Sequence, residues 1–84
     1  MRGAAVNWHD RIVSDPDVLV GKPTIRGTRI SVELLLERLS DGWSVEDLLV
    51  AYPQIEREDV LAALAFVAEI YREESFVAHG KAKA

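Results

Sequence analysis

Between residues 31 and 72 apolar side chains return at helical spacing, and the run is cut twice, at Asp41-Gly42 and at Tyr52-Pro53. An interrupted period of this kind calls for several short helices that pack on one another, because a short helix is marginal alone. Ser31 is a good N-cap, and Val32, Leu35, Leu36 and Leu39 follow at i, i+3, i+4 and i+7. Gly42 suits the left-handed position just past a helix end. Ser44 opens a second helix, with Asp47 placed for a weaker form of the capping box. Its inward face is Val45, Leu48 and Leu49, continued by Tyr52, and Pro53 stops it. A third helix begins near Glu56, with Ile55 and Val60 at the spacing of a hydrophobic staple. Glu58 and Asp59 sit in its first turn, where the helix dipole favours acids. Val60, Leu61, Leu64, Val67, Ala68 and Tyr71 form a long apolar stripe, and Ala62, Ala63 and Ala65 allow close approach by a neighbour.

The expected helices are about 9, 8 and 16 residues long. The second and third, split by Tyr52-Pro53-Gln54-Ile55, have the layout of a helix-turn-helix. Residues 1–30 read as an N-terminal arm. Arg11-Ile12-Val13 is a candidate strand, stopped by Ser14-Asp15-Pro16-Asp17. Val18-Leu19-Val20 is an apolar patch stopped by Gly21-Lys22-Pro23, and Arg26-Gly27 marks a turn between Thr24-Ile25 and Thr28-Arg29-Ile30. The fold expected is mainly α: a three-helix bundle over 31–72, preceded by a short β arm or hairpin and followed by a tail over 73–84. Such short strands need pairing. A chain of 84 residues has room for one domain with a thin stability margin. The third helix is too apolar for one short bundle, so a homodimer is expected.

Charge is distributed unevenly. Residues 1–31 carry Arg2, Arg11, Lys22, Arg26 and Arg29 against three aspartates, whereas residues 32–75 carry three arginines against eleven acids. An anionic partner is attracted to the arm and repelled by most of the helical body. No cysteine is present, which excludes disulfides and thiolate chemistry. The apolar run Val60 to Ala68 is too short to span a bilayer, and Met1 to Trp8 lacks the apolar stretch of a secretory signal. A cytoplasmic protein with no membrane association fits these features. His9 and His79 are far apart without neighbouring ligands, so no metal or other cofactor is expected. No Ser-His-Asp set or paired-carboxylate cleft can be assembled, which argues against an enzyme. Gly21-Lys22-Pro23-Thr24 lacks the earlier glycine of a phosphate-binding loop, and Pro23 interrupts it.

The segment Gly21-Lys22-Pro23-Thr24-Ile25-Arg26-Gly27-Thr28-Arg29-Ile30 resembles the signature of the bacterial and archaeal domain-of-unknown-function family 433. Ile12 to Pro16 before it, Gly42-Trp43-Ser44, Tyr52-Pro53 and Glu58-Asp59-Val60 follow the same pattern, so the resemblance spans roughly residues 8–75. It implies a homeodomain-like helix-turn-helix. It also implies a VapB-type antitoxin that neutralises a PIN-like ribonuclease toxin and, as a dimer, represses its own operon. Glu56 stands where a Thr or Ser cap is expected before the third helix, which weakens that cap and adds negative charge.

Candidate operator-DNA contacts follow. Lys22, Arg26 and Arg29 lie close together in sequence, and Gly27 and Thr28 can bring backbone N–H groups to a phosphate. The competing reading has Arg29 paired with an acid of the bundle. Gln54 and Arg57 begin the third helix, where such side chains read base edges, and Ser44 can meet a phosphate at a helix N-terminus. Glu56, Glu58 and Asp59 oppose this, and the acids of 32–75 otherwise read as solvated surface. Trp8 and Trp43, isolated from other aromatics in sequence, read as packing residues. Tyr71, Phe76 and Val77 form a candidate toxin-docking segment, against the plainer reading of a frayed helix end. Beside the DNA-binding antitoxin stands a second possibility, a protein-interaction module without nucleic-acid binding, which the acidic body favours.

Overall fold

The structure is a computed structural model that describes residues 7–73. A 3-10 turn, Trp8–Asp10, leads into β1 (Ile12–Ser14), and a second, Leu19–Gly21, leads into β2 (Pro23–Ile25). Three helices follow: α1 (Val32–Ser40), α2 (Val45–Ala51) and α3 (Arg57–Glu73). The expected plan of a short β arm before three helices is therefore present.

β1 and β2 are antiparallel, with Ile12 opposite Ile25, Val13 opposite Thr24 and Ser14 opposite Pro23. Alternation along a strand sends Ile12 and Ile25 to the same buried face, where Ile30, Val32 and Leu35 join them. Leu48 from α2, Ile55 from the α2–α3 turn and Val60, Ala62 and Ala63 from α3 complete the cluster. Arm and bundle thus share one core.

The helix ends obey local rules. The Ser31 hydroxyl accepts from Leu34 N at 2.9 Å. Ser44 and Asp47 form a full capping box. At the end of α1, Gly42 adopts φ +100°, Gly42 N donates to Leu39 O, and Trp43 N donates to Arg38 O. These are the paired bonds of a Schellman motif, which satisfy carbonyls the helix leaves open. The Arg38 guanidinium carbon then lies 5.4 Å from the Trp43 ring centroid, within cation–π range.

Three expectations are corrected. The stripe assigned to α3 divides in two: Val60, Ala62 and Ala63 face the core, while Leu61 and Leu64 are each 41% exposed. The reason is spatial, since small residues at the contact let α3 approach its neighbours closely. Asp59 is buried, not a surface acid. The tryptophans do pack, as expected: Trp8 meets Phe66 edge-on at 4.7 Å between centroids, and Trp43 stacks on Tyr52 at 6.4 Å. Finally, Val18-Leu19-Val20 packs poorly. Leu19 and Val20 take positive φ values of 50° and 57°, and Val20 is 93% exposed.

Candidate nucleic-acid interface

The turn between β2 and α1 is built from side-chain and backbone bonds acting together. Thr28 N donates to Ile25 O at 3.0 Å, and Ile25 N donates to Ile30 O at 2.9 Å. The Thr28 hydroxyl donates to Ile25 O at 2.8 Å and accepts from Ile30 N at 3.0 Å. Gly27, at φ +81°, supplies the left-handed residue the turn needs. An isolated bridge between Thr24 and Ser31 closes it. This fixed turn carries Arg26 and Arg29, both exposed. Thr28 therefore serves as the turn's internal brace, with its hydroxyl already engaged.

The three candidate cations of the arm face different surroundings. Lys22 pairs with Glu33 of α1 at 3.0 Å, where both side chains are largely exposed. It lines an open groove with Leu36 and Phe66. Arg26 donates through Nε to Asp10 O at 3.0 Å and through Nη2 to His9 O at 3.5 Å. Carbonyl partners hold the guanidinium without neutralising it. Arg29 makes no hydrogen bond or ion pair among the described residues, so the expected pairing with a bundle acid does not occur there. It shares a shallow depression of about 270 Å³ with Asp15 and Thr28.

The start of α3 offers less to an anion. Arg57 is ion-paired with Glu46 of α2. That hydrogen bond holds the Glu46 carboxyl below its ordinary value of 4.5. Gln54 is exposed and shares a polar cleft of about 350 Å³ with Arg26, but Asp10, Glu56 and Asp59 also line it. The Ser44 hydroxyl accepts from Asp47 N at 3.0 Å, and the Asp47 carboxylate accepts from Ser44 N at 2.8 Å. A carboxylate thus covers the N-terminus of α2 where a phosphate was expected. Tyr71 is 53% exposed on α3. Phe76 and Val77 lie outside the described residues.

Two long-range pairs escaped sequence reasoning. Arg11 Nη1 donates to Asp59 Oδ1 at 2.9 Å and lies 3.7 Å from Glu56 Oε1. The bond to Asp59 raises the Arg11 guanidinium further above its ordinary value. Asp59 Oδ2 also accepts from Glu56 N at 2.8 Å, so this acid caps the helix that Glu56 begins without a hydroxyl. Trp8 Nε1 donates to Glu69 Oε1 at 2.9 Å. No local pattern marks either pair. An acid at the third helical position, behind a poor cap, was the available signal for Asp59.

Among the described residues, no group of three or more His, Cys, Asp or Glu side chains is arranged to hold a metal ion. No described helix is long and apolar enough to cross a membrane.

A family model described as "Protein of unknown function (DUF433)" matches residues 12–67. "Uncharacterized protein y4eO" of Sinorhizobium fredii (strain NBRC 101917 / NGR234) is 36% identical over 69 residues, which cover 75% of this chain and 31% of that protein. The chain therefore spans about a third of that relative's length. The crystal structure of a DUF433 member from Anabaena variabilis ATCC 29413 is similar at a TM-score of 0.69 and 32% identity. The likeness covers 75% of this chain and 62% of that one.

Proposed function

The chain belongs to the DUF433 family, and from that premise we propose that it is a non-enzymatic regulator of the antitoxin type. In this reading it holds the DNA backbone through the turn that carries Arg26 and Arg29. The observation that carries the proposal is the braced turn itself: it presents two guanidinium groups that no carboxylate pairs with among the described residues. Phosphate contacts of this type position a protein on a duplex and dominate its affinity. Base readout from Gln54 and Arg57 contributes less, because Glu46, Glu56 and Glu58 surround the start of α3. The Gly21–Ile30 segment resembles the DUF433 signature, and the resemblance of members of that family to VapB-type antitoxins implies the toxin half: a PIN-like ribonuclease docked at the end of α3.

Fluorescence anisotropy with duplex DNA from upstream of the protein's own gene tests the proposal. Binding at low salt is expected, with a logarithmic salt slope that drops by about 1 when Arg29→Ala removes a phosphate contact. Absence of binding at 50 mM salt refutes the DNA half.

A second reading, an interaction module that never touches nucleic acid, is favoured by the neutralised Arg57 and the acids beside it. Co-expression with a PIN-like ribonuclease encoded beside the gene separates the two. Rescue of growth that survives Arg26→Ala/Arg29→Ala, together with no DNA binding by the unmodified protein, supports the module.

A further inference from the structure

The side of α3 turned away from the core carries the apolar surface that the bundle does not bury. At about 100° per residue, Leu61, Leu64, Ala65 and Ala68 share one face, opposite Ala62, Ala63 and Phe66. Leu61, Leu64 and Ala68 are exposed and Ala65 is half-buried. A helix apolar on both sides is one that has neighbours on both sides. No described element of this chain covers the outer face.

The charges that flank this face identify the occupant. Glu58 and Arg72 are both exposed and fall on the same flank of the stripe. They lie seven residues either side of Ala65. In an antiparallel pair of α3 helices centred on Ala65, Glu58 of one copy meets Arg72 of the other, and the symmetry repeats the contact at the far end. The same pairing sets Leu61 close to the partner's Ala68 and brings the two copies of Leu64 together on the other flank. We infer that the outer face of α3 is a two-fold interface, occupied by a second copy of this chain running antiparallel. This interface does not depend on nucleic-acid binding.

Its strength follows from its size. The 17 residues of α3 span about 25 Å at about 1.5 Å each. An interface of that length falls at the small end of the protein–protein range, under about 1,200 Å² in total, where association is weak. Dissociation in the range of roughly 10–100 µM is expected.

Sedimentation equilibrium of the full chain from about 5 µM to about 1 mM reads the dimer directly. Leu64→Glu is expected to weaken association more than about tenfold, with unchanged helicity by circular dichroism because Leu64 lies outside the core. Charge exchange tests the antiparallel register. Glu58→Arg alone and Arg72→Glu alone each place like charges at both ends and weaken self-association. An equimolar mixture of the two variants restores opposite charges at both ends and dimerises. A parallel pair already sets like charges at both ends in the unmodified protein, Glu58 against Glu58 and Arg72 against Arg72, so neither single exchange would weaken it. A protein that stays monomeric to about 1 mM overturns the inference, whether the face is then covered by its own residues 74–84 or by a different protein. Failure of the mixture to associate better than either variant overturns the register and the inference with it.

Discussion

Replacing Thr28 by valine keeps the β-branched shape of the side chain and deletes its hydroxyl. Thr28 is half-buried between Ile25 and Ile30, both of which are core residues. Two hydrogen bonds vanish, at 2.8 and 3.0 Å. They are not equivalent. Ile25 O keeps Thr28 N as a donor at 3.0 Å, so its loss is partial. Ile30 N loses its acceptor in a region that water enters poorly. A buried donor left unpaired costs about 1–3 kcal/mol, and a lost ordinary bond about 0.5–1.5 kcal/mol. Discounting the half-satisfied carbonyl gives about 2 kcal/mol for Thr28→Val. For a domain of this length that lowers Tm by about 8–16 °C. Thr28→Ser retains both bonds and should stay within about 1 kcal/mol of the parent. Thermal melts followed by circular dichroism, with amide exchange at Ile30, separate the two variants. If valine melts with threonine and Ile30 N–H stays equally protected, the hydroxyl does not brace the turn.

Other perturbations have equally definite outcomes. Leu48 is fully buried at the junction of the helices, so Leu48→Ala should destabilise by about 3–5 kcal/mol in urea unfolding. Val20 holds a left-handed backbone while exposed, and Val20→Gly should therefore stabilise by about 1 kcal/mol, measured by the same melts. The depressed Glu46 carboxyl contributes stability that is present above its ordinary value of 4.5 and lost as pH falls through the lower, folded value. Arg57→Ala should move the Glu46 titration, followed by NMR, back up toward 4.5 and flatten that part of the acid limb. Glu46 is exposed, so salt should erode the same difference.

Helices, caps and breaks were legible because each depends on residues a few positions apart. Ser31, the Ser44–Asp47 box and Gly42 all act within one turn of chain. The arm was legible in outline, since Ile12 and Ile25 sit in short β-branched runs bounded by turn residues. Which face of α3 points inward was not. Leucine outranks alanine on any scale of apolarity, yet Ala62 and Ala63 take the interior because the neighbouring elements leave too little room for larger side chains. Charge counts misjudged the site for a related reason. They register Lys22, Arg26 and Arg29 as one basic cluster, whereas Glu33 and the carbonyls of His9 and Asp10 treat each cation differently. Partners 48 residues apart, as for Arg11 and Asp59, leave no trace in a local window.

That last pairing bears on how the molecule assembles. Asp59 holds the start of α3 with one carboxylate oxygen and the arm with the other, and Trp8 reaches Glu69 across 61 positions of sequence. Such contacts require the loop between them to close first, which is slow compared with winding a helix. The helices can therefore form early and remain loosely docked until the arm swings in. Detachment of the arm leaves the buried Asp59 carboxylate, which caps α3, without its Arg11 partner, so opening at one edge loosens the start of the longest helix.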